Sequence, residues 1–240
     1  AWDASLEREV AVKILNEQYG GDVERIAQFE REAKITASLS HPNIVRVFTV
    51  GEDLGRFFIA MELVEGDSLE AEIRRRGAIP EEEILSMAIE VVHGLAAAHE
   101  AGLIHRDVKP GNILIDGEGR PRLVDFGLAL LTDEADGSQE IWATPYYVPP
   151  ETLEGQDEDF RSDMYALGAS LYHALAGRPP CPDDSLSVDE LKIAKREVEP
   201  LGQAASHLNR STVEVVELAM AHAPGDRFEN YEVLLDALNL

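Results

Sequence analysis

Within the eight residues His105-Arg106-Asp107-Val108-Lys109-Pro110-Gly111-Asn112 lie one carboxylate, one amide and two cations, and a second carboxylate follows in Asp125-Phe126-Gly127. Carboxylate and amide oxygens are hard donors that suit magnesium. Lysine and arginine beside them can neutralise an anionic group while it reacts. Taken singly, His-Arg-Asp or Asp-Phe-Gly is a common tripeptide, and Asp, Asn and Gly are ordinary turn formers, so the weight rests on their order and setting. Other chemistries are disfavoured. Among seven histidines no His-Glu-x-x-His occurs, and His93 and His99 are not four residues apart, which argues against a zinc hydrolase. The single cysteine, Cys181, leaves no internal disulfide and no cysteine-cluster zinc site, as expected in a reducing compartment.

Two regimes of pattern position these residues. Up to about residue 65, β-branched and apolar runs at Glu9 to Leu15, Ile44 to Val50 and Phe57 to Leu63 predict strands of a small antiparallel sheet. Between the first two, Asp22 to Leu39 predicts a helix, with Ile26, Phe29, Ala33 and Ala37 at three- and four-residue steps. Beyond that point the chain reads as mainly helical. Pro80 followed by three glutamates opens a helix to about Ala101, with Leu85, Ala88, Val91, Val92, Leu95 and Ala98 on one face. Further helices are predicted at Asp163 to Ala176, Val188 to Glu197, Ser211 to Ala221 and Tyr231 to Leu238. Ile113 to Ile115 and Arg122 to Val124, joined through Gly117-Glu118-Gly119, predict a hairpin, and the polar residues flank it.

That ordered set resembles the catalytic and magnesium loops of protein kinases, most closely the bacterial eukaryotic-like Ser/Thr kinases. Val10-Ala11-Val12-Lys13 is similar to the strand that carries the family's ATP lysine, and Glu32 stands 19 residues later on the predicted helix. Ala143 to Glu151 resembles the end of an activation segment, and Ser162-Asp163-Met164-Tyr165-Ala166-Leu167-Gly168 the buried helix behind it. The resemblance implies an α+β, bilobal fold with residues 1–66 as N-lobe and hinge and 67–240 as C-lobe. It implies ATP and Mg²⁺ between the lobes, and transfer of the γ-phosphoryl group to a Ser or Thr of a protein, this one included.

By the same resemblance, Lys13 contacts the α and β phosphates and Glu32 holds it by an ion pair. Asn112 and Asp125 hold metal, Asp107 orients the substrate hydroxyl and accepts its proton, and Lys109 steadies the γ-phosphate. Met61 closes the back of the adenine pocket, Glu62 and Val64 offer backbone groups, Ala11 and Leu114 sandwich the ring, and Asp67 is a ribose contact. His105 packs beneath Phe126, Asp163 ties the catalytic-loop backbone from below, and Arg227 pairs with Glu151. Thr144 positions substrate, and Arg106 beside Asp107 suggests a phosphate on Thr132 or Ser138 as its partner.

The chain departs from the family at one large point. Only 12 residues precede Lys13 and none is glycine, so the glycine-rich phosphate loop is expected upstream of Ala1. The other reading of that departure is a pseudokinase acting as a nucleotide-binding scaffold. A small-molecule kinase of similar fold is disfavoured by the Lys109-Pro110 pair and the Pro149-Pro150-Glu151 triplet. With 21 basic against 46 acidic residues the formal charge is −25, which argues against nucleic acid and anionic membranes as partners. No run approaches the roughly 20 apolar residues of a membrane span. The resemblance implies a protein substrate, and a cytoplasmic setting is expected for this domain, whose full-length protein could be membrane-anchored.

Overall fold

The computed structural model describes residues 1–4, 7–14, 33–53, 56–126, 145–181 and 187–239. Glu32, Gly127, Thr132, Ser138, Thr144 and most of the helix expected at Asp22 to Leu39 lie outside those residues; 33–38 are helical. The first four strands, β1 (Trp2–Asp3), β2 (Arg8–Ile14), β3 (Val47–Asp53) and β4 (Arg56–Glu62), form an antiparallel sheet in the order β1-β2-β4-β3. The register sets Ala11 opposite Met61 and Lys13 opposite Ile59, so Ala11 and Lys13 share a face of β2. The strand expected at Ile44 to Val50 begins later. Ile44, 2% exposed, instead belongs to the larger apolar core and forms an isolated parallel bridge with Leu123. Its hydrophobicity therefore reports the seam between two bodies rather than the sheet.

A second sheet joins β5 (Gly66–Ser68), β6 (Ile113–Asp116) and β7 (Pro121–Leu123) in that order. The β6–β7 pair is the predicted hairpin, displaced by one residue at its second strand. β5 was not expected, because Gly-Asp-Ser has no strand propensity of its own and is recruited by the edge of β6. Gly66 is obligatory there: a Cβ at that position would lie 1.8 Å from the Ile115 carbonyl oxygen.

Helices supply the rest. Ser68 caps α1 (Leu69–Arg76), accepting the Ala71 N–H at 3.2 Å. α2 (Glu81–Glu100) buries Ile84, Met87, Ala88, Val91, Val92, Leu95 and Ala98, while Leu85 is only partly covered. Short α3 (Pro150–Leu153) precedes α4 (Phe160–Ala176), whose N-cap Asp159 accepts the Arg161 N–H at 2.7 Å and starts the helix three residues before the periodic pattern does. α5 (Val188–Arg196), short α6 (Leu201–Ala204), α7 (Arg210–Ala219) and α8 (Tyr231–Leu238) complete the chain. No helix among the described residues is long and apolar enough to cross a membrane.

The main core gathers along α2 and α4, where Leu95, Met164, Leu167 and Leu175 are almost fully enclosed. Inside this apolar mass lies an ion pair. Both guanidinium Nη atoms of Arg227 donate to Glu151, at 2.6 and 2.7 Å, and Ser162 donates to Glu151 Oε1 at 2.8 Å. Arg227 also donates to the carbonyls of Ala221 and Arg161, at 2.9 Å each. The expected partnership of Arg227 with Glu151 is thus present, and it anchors α3 to the base of the helical lobe. Burial pushes the Glu151 carboxyl up, but the Arg227 hydrogen bonds and charge outweigh it and leave the group below its ordinary value. Its contribution to stability is complete above the unfolded pKa of about 4.3 and is lost as pH falls from there through the folded value. Glu151→Gln, which strands a buried guanidinium, is expected to cost about 3–5 kcal/mol in chemical denaturation and to flatten the acid limb of the stability profile.

Candidate active site

The loop from His105 to Asn112 leaves α2 through Ala101-Gly102, where Gly102 takes φ +81°, and is then held from beneath by α4. Asp163 Oδ2 accepts the His105 N–H and Oδ1 the Arg106 N–H, both at 2.8 Å. Two successive amides converging on one carboxylate require a sharp local bend, and Arg106 accordingly has φ +66°. A non-glycine residue in that region costs on the order of 1–3 kcal/mol, and the Asp163 bonds hold it there. Burial raises the Asp163 carboxyl to about 7, against the two N–H donors.

His105 carries the constraint onward. Its Nδ1 accepts the Asp107 N–H at 3.3 Å, so the proton is assigned to Nε2, which donates to the Val124 carbonyl at 3.0 Å. This neutral tautomer agrees with burial lowering the imidazole pKa. The ring packs against Phe126 with centroids 4.3 Å apart, and Phe126 is itself buried in the main core. His105 thereby couples the loop before the hairpin to the segment after it.

Beyond this buttress the polar side chains converge. Lys109 Nζ lies 2.9 and 2.8 Å from the two carboxylate oxygens of Asp107. A 3₁₀ turn at Pro110–Asn112 brings Asn112 back, so that its Nδ2 donates to both the carbonyl and Oδ2 of Asp107 at 2.8 Å. With Nδ2 committed, Oδ1 is the side-chain atom of Asn112 left to accept or ligate. On the other side of the hairpin Asp125 has φ +69°, and its Oδ2 takes the Lys13 ammonium at 2.8 Å. The structure thus brings Lys13 to Asp125, and Asp107, Lys109 and Asn112 to one another; Glu32 lies outside the described residues. Among the described residues no group of three or more His, Cys, Asp or Glu side chains is placed to hold a metal. The hard oxygens of Asn112 and Asp125 nevertheless have the donor chemistry that magnesium takes, with its remaining positions left to water and phosphate.

The apolar residues expected around a purine form one cluster. Ala11, Val64 and Leu114 pack against Val45, Val47, Ile59 and Met61. Behind Met61, a cavity of about 20 Å³ reaches Thr36, Asp125 and Phe126, room for about one water. Glu62 gives its N–H to the Arg46 carbonyl at 2.9 Å. Its side chain turns towards the hairpin, where Oε2 meets Arg122 Nη2 at 2.6 Å. Asp67 sits exposed in β5 opposite Ile115, beside the Ser68–Leu114 pair.

Three partnerships had no signal in sequence spacing. Arg122 tied to Glu62 joins the two sheets. Glu158 places Oε2 3.5 Å from Arg106 Nε while accepting the Thr152 hydroxyl, so a carboxylate stands beside the arginine next to Asp107. Tyr147 and His173 Nδ1 lie 2.7 Å apart, joining the segment before α3 to α4.

Known proteins share this arrangement. Residues 1–236 match the family model of the protein kinase domain. The chain is 36% identical over 239 residues to Serine/threonine-protein kinase PrkC of Bacillus subtilis, covering 98% of this chain and 36% of that protein. It is 36% identical over 245 residues to Serine/threonine-protein kinase PknA of Mycobacterium tuberculosis, covering 99% of this chain and 56% of that one. The crystal structure of the Mycobacterium tuberculosis PknI kinase domain superposes with a TM-score of 0.76 at 32% identity, covering 96% of this chain and 84% of that one. The chain therefore spans between about a third and just over half the length of these curated relatives. Two lobes of the expected kind, the polar cluster at their junction and the match across nearly the whole chain have one meaning: this chain belongs to the protein kinase domain family.

Proposed function

We propose that this chain is the catalytic domain of an ATP-dependent serine/threonine protein kinase, with residues 1–66 as N-lobe and hinge and 67–240 as C-lobe. The observation that carries the reading is the hydrogen-bonded unit of Asp107, Lys109 and Asn112, joined by the Val124 N–H to Asn112 carbonyl bond at 3.1 Å to the segment that carries the Lys13–Asp125 pair. The names of PrkC and PknA support the choice of Ser/Thr hydroxyls. ATP supply and the single reduced cysteine favour work on the cytoplasmic side.

Asp107 orients the acceptor hydroxyl and receives its proton. Lys109, already on that carboxylate, neutralises it at rest and can follow the charge to the transferred phosphoryl group. Asn112 locks the Asp107 carboxylate through Nδ2 and offers Oδ1 to a metal, with Asp125 as the second holder. When bound, Mg²⁺ would neutralise the phosphate oxygens on which charge develops. With Asp125 holding a metal, Lys13 would be free to contact the α and β phosphates, with Glu32 as its counter-ion. Ala11, Met61, Val64 and Leu114 form the dry wall for adenine, Glu62 and Val64 supply hinge backbone groups, and Asp67 is a ribose contact. Little covalent work is asked of the protein, because phosphoryl transfer needs in-line positioning and neutralised charge.

Transfer of labelled γ-phosphate from Mg-ATP to the protein itself and to a generic basic protein tests the reading. Asp107→Asn is expected to reduce incorporation by about 10²–10⁴-fold while leaving the fold intact. Equal incorporation by that variant, or ATP binding without any transfer by both the parent and a version extended upstream of Ala1, would overturn it in favour of a scaffold. A companion expectation concerns the buttress: in Asp163→Asn the amide presents an N–H₂ to one of two backbone donors. A loss of about 2–4 kcal/mol of stability together with activity should follow, read by thermal melting alongside the same assay.

A further inference from the structure

Lys195, on α5, is 6% exposed, and no carboxylate is paired with it among the described residues. Its Nζ donates to the Tyr146 carbonyl at 2.6 Å and lies 5.1 Å from the centre of the Tyr165 ring. That ring also lies 5.0 Å from the guanidinium carbon of Arg227, whose charge is already met by Glu151. Among the described residues the titratable groups facing Lys195 are the Tyr165 phenol and the buried Cys181 thiol, both of which burial pushes up. On its own helix, Lys192 pairs with Asp189 and Arg196 with Glu154, both pointing to the outer surface. An enclosed ammonium with one carbonyl and one ring face for company is costly, and such a group is seldom kept for stability alone.

What the cation buys is a fixed backbone position. Tyr146 opens the stretch Tyr146-Tyr147-Val148-Pro149 that leads into α3. Val148 packs with Cys181 and Leu191 of α5, and Tyr147 packs with Tyr165 and Ala169 of α4 while its hydroxyl meets His173. The side chains are thus seated on two different helices, and Lys195 pins the backbone between them. We propose that Lys195 is a positioning residue for the protein substrate: it holds the Tyr146 carbonyl, and through it the stretch 146–149, so that α5 sets protein-substrate affinity. This rests on the kinase reading above and on the resemblance of Ala143 to Glu151 to the end of an activation segment, the part of the family's chain that receives the substrate.

The charge state adds a signature. Burial lowers the Lys195 pKa to about 8, from about 10.5. Between those values the unfolded chain binds the proton and the folded one does not, so the stability it contributes rises with pH from about 8 to about 10.5. The neutral amine is the weaker donor, so the hold on Tyr146 loosens as pH rises through about 8.

The experiment uses the chain itself with Lys195→Met, which keeps length and burial while removing donor and charge, and Lys195→Arg as rescue. Steady-state kinetics on a generic basic protein are expected to show KM for the protein raised roughly tenfold in the Met variant, with KM for ATP unchanged and partial recovery in the Arg variant. Melting temperature should hold or rise at pH 7, and the rise of protein-substrate KM through pH 8 should vanish. Amide hydrogen exchange across 145–149 should quicken in the Met variant. A Met variant that melts lower and loses affinity for both substrates alike would reduce Lys195 to a structural role. Unchanged protein KM and exchange would also overturn the proposal. Should the parent chain transfer no phosphate, the kinase reading fails by itself, and the exchange measurement still decides whether Lys195 restrains the segment.

Discussion

One carboxylate carries the geometry on which the site depends. Asp163 gathers the N–H groups of His105 and Arg106 and so keeps a non-glycine residue in a left-handed bend. The bend aims Asp107 towards Lys109 and Asn112, and it sets the His105 ring where it can bond Val124 and cover Phe126. The segment that carries Asp125 is thereby placed relative to the segment that carries Asp107, although 18 residues and a hairpin separate them. Since α4 is itself among the most deeply buried elements, the reference frame for chemistry is the core of the helical lobe.

The charged side chains of the site are half-buried and satisfy one another, which offsets the cost of their partial desolvation. Lys13 with Asp125, and Lys109 with Asp107, are each pairs whose cation, on the proposed reading, would have a second use once phosphates arrive. Substrate binding would then be partner exchange between ions already desolvated in part, with no bare charge to bury first. Glu158 beside Arg106 follows the same logic next to the catalytic loop.

The legible parts of this chain were those with local causes. The helix from Glu81 to Glu100, the helix Tyr231–Leu238 and the Ile113 hairpin follow from periodicity, a first-turn proline and glycine turns, and the structure has them within a residue or so. The ordered polar motifs pointed to the right family because each sits in a distinctive local setting. What stayed hidden was long-range. β5 exists because β6 offers an edge, and Ile44 reads as strand but belongs to the seam between lobes. The partners Glu62–Arg122, Arg106–Glu158 and Lys195–Tyr146 join residues 49 to 60 positions apart, and no periodic signal connects them. Acid-rich stretches such as Asp157-Glu158-Asp159 look uniformly solvated until the fold turns one member inward.

The crossing between lobes has a mechanical consequence. β4 ends at Glu62, laddered to β2, and β5 begins at Gly66, clamped against the Ile115 carbonyl where no side chain fits, so 63–65 alone connect two sheets. A tether so short, with Glu62 additionally bonded to Arg122 and residues 43–45 bonded to Leu123 beside it, leaves no slack between the two sheets. Inserting or deleting one residue in that tether would shift the whole upper lobe by about 3 Å relative to the lower, and chain-length variation should be tolerated almost anywhere sooner than here.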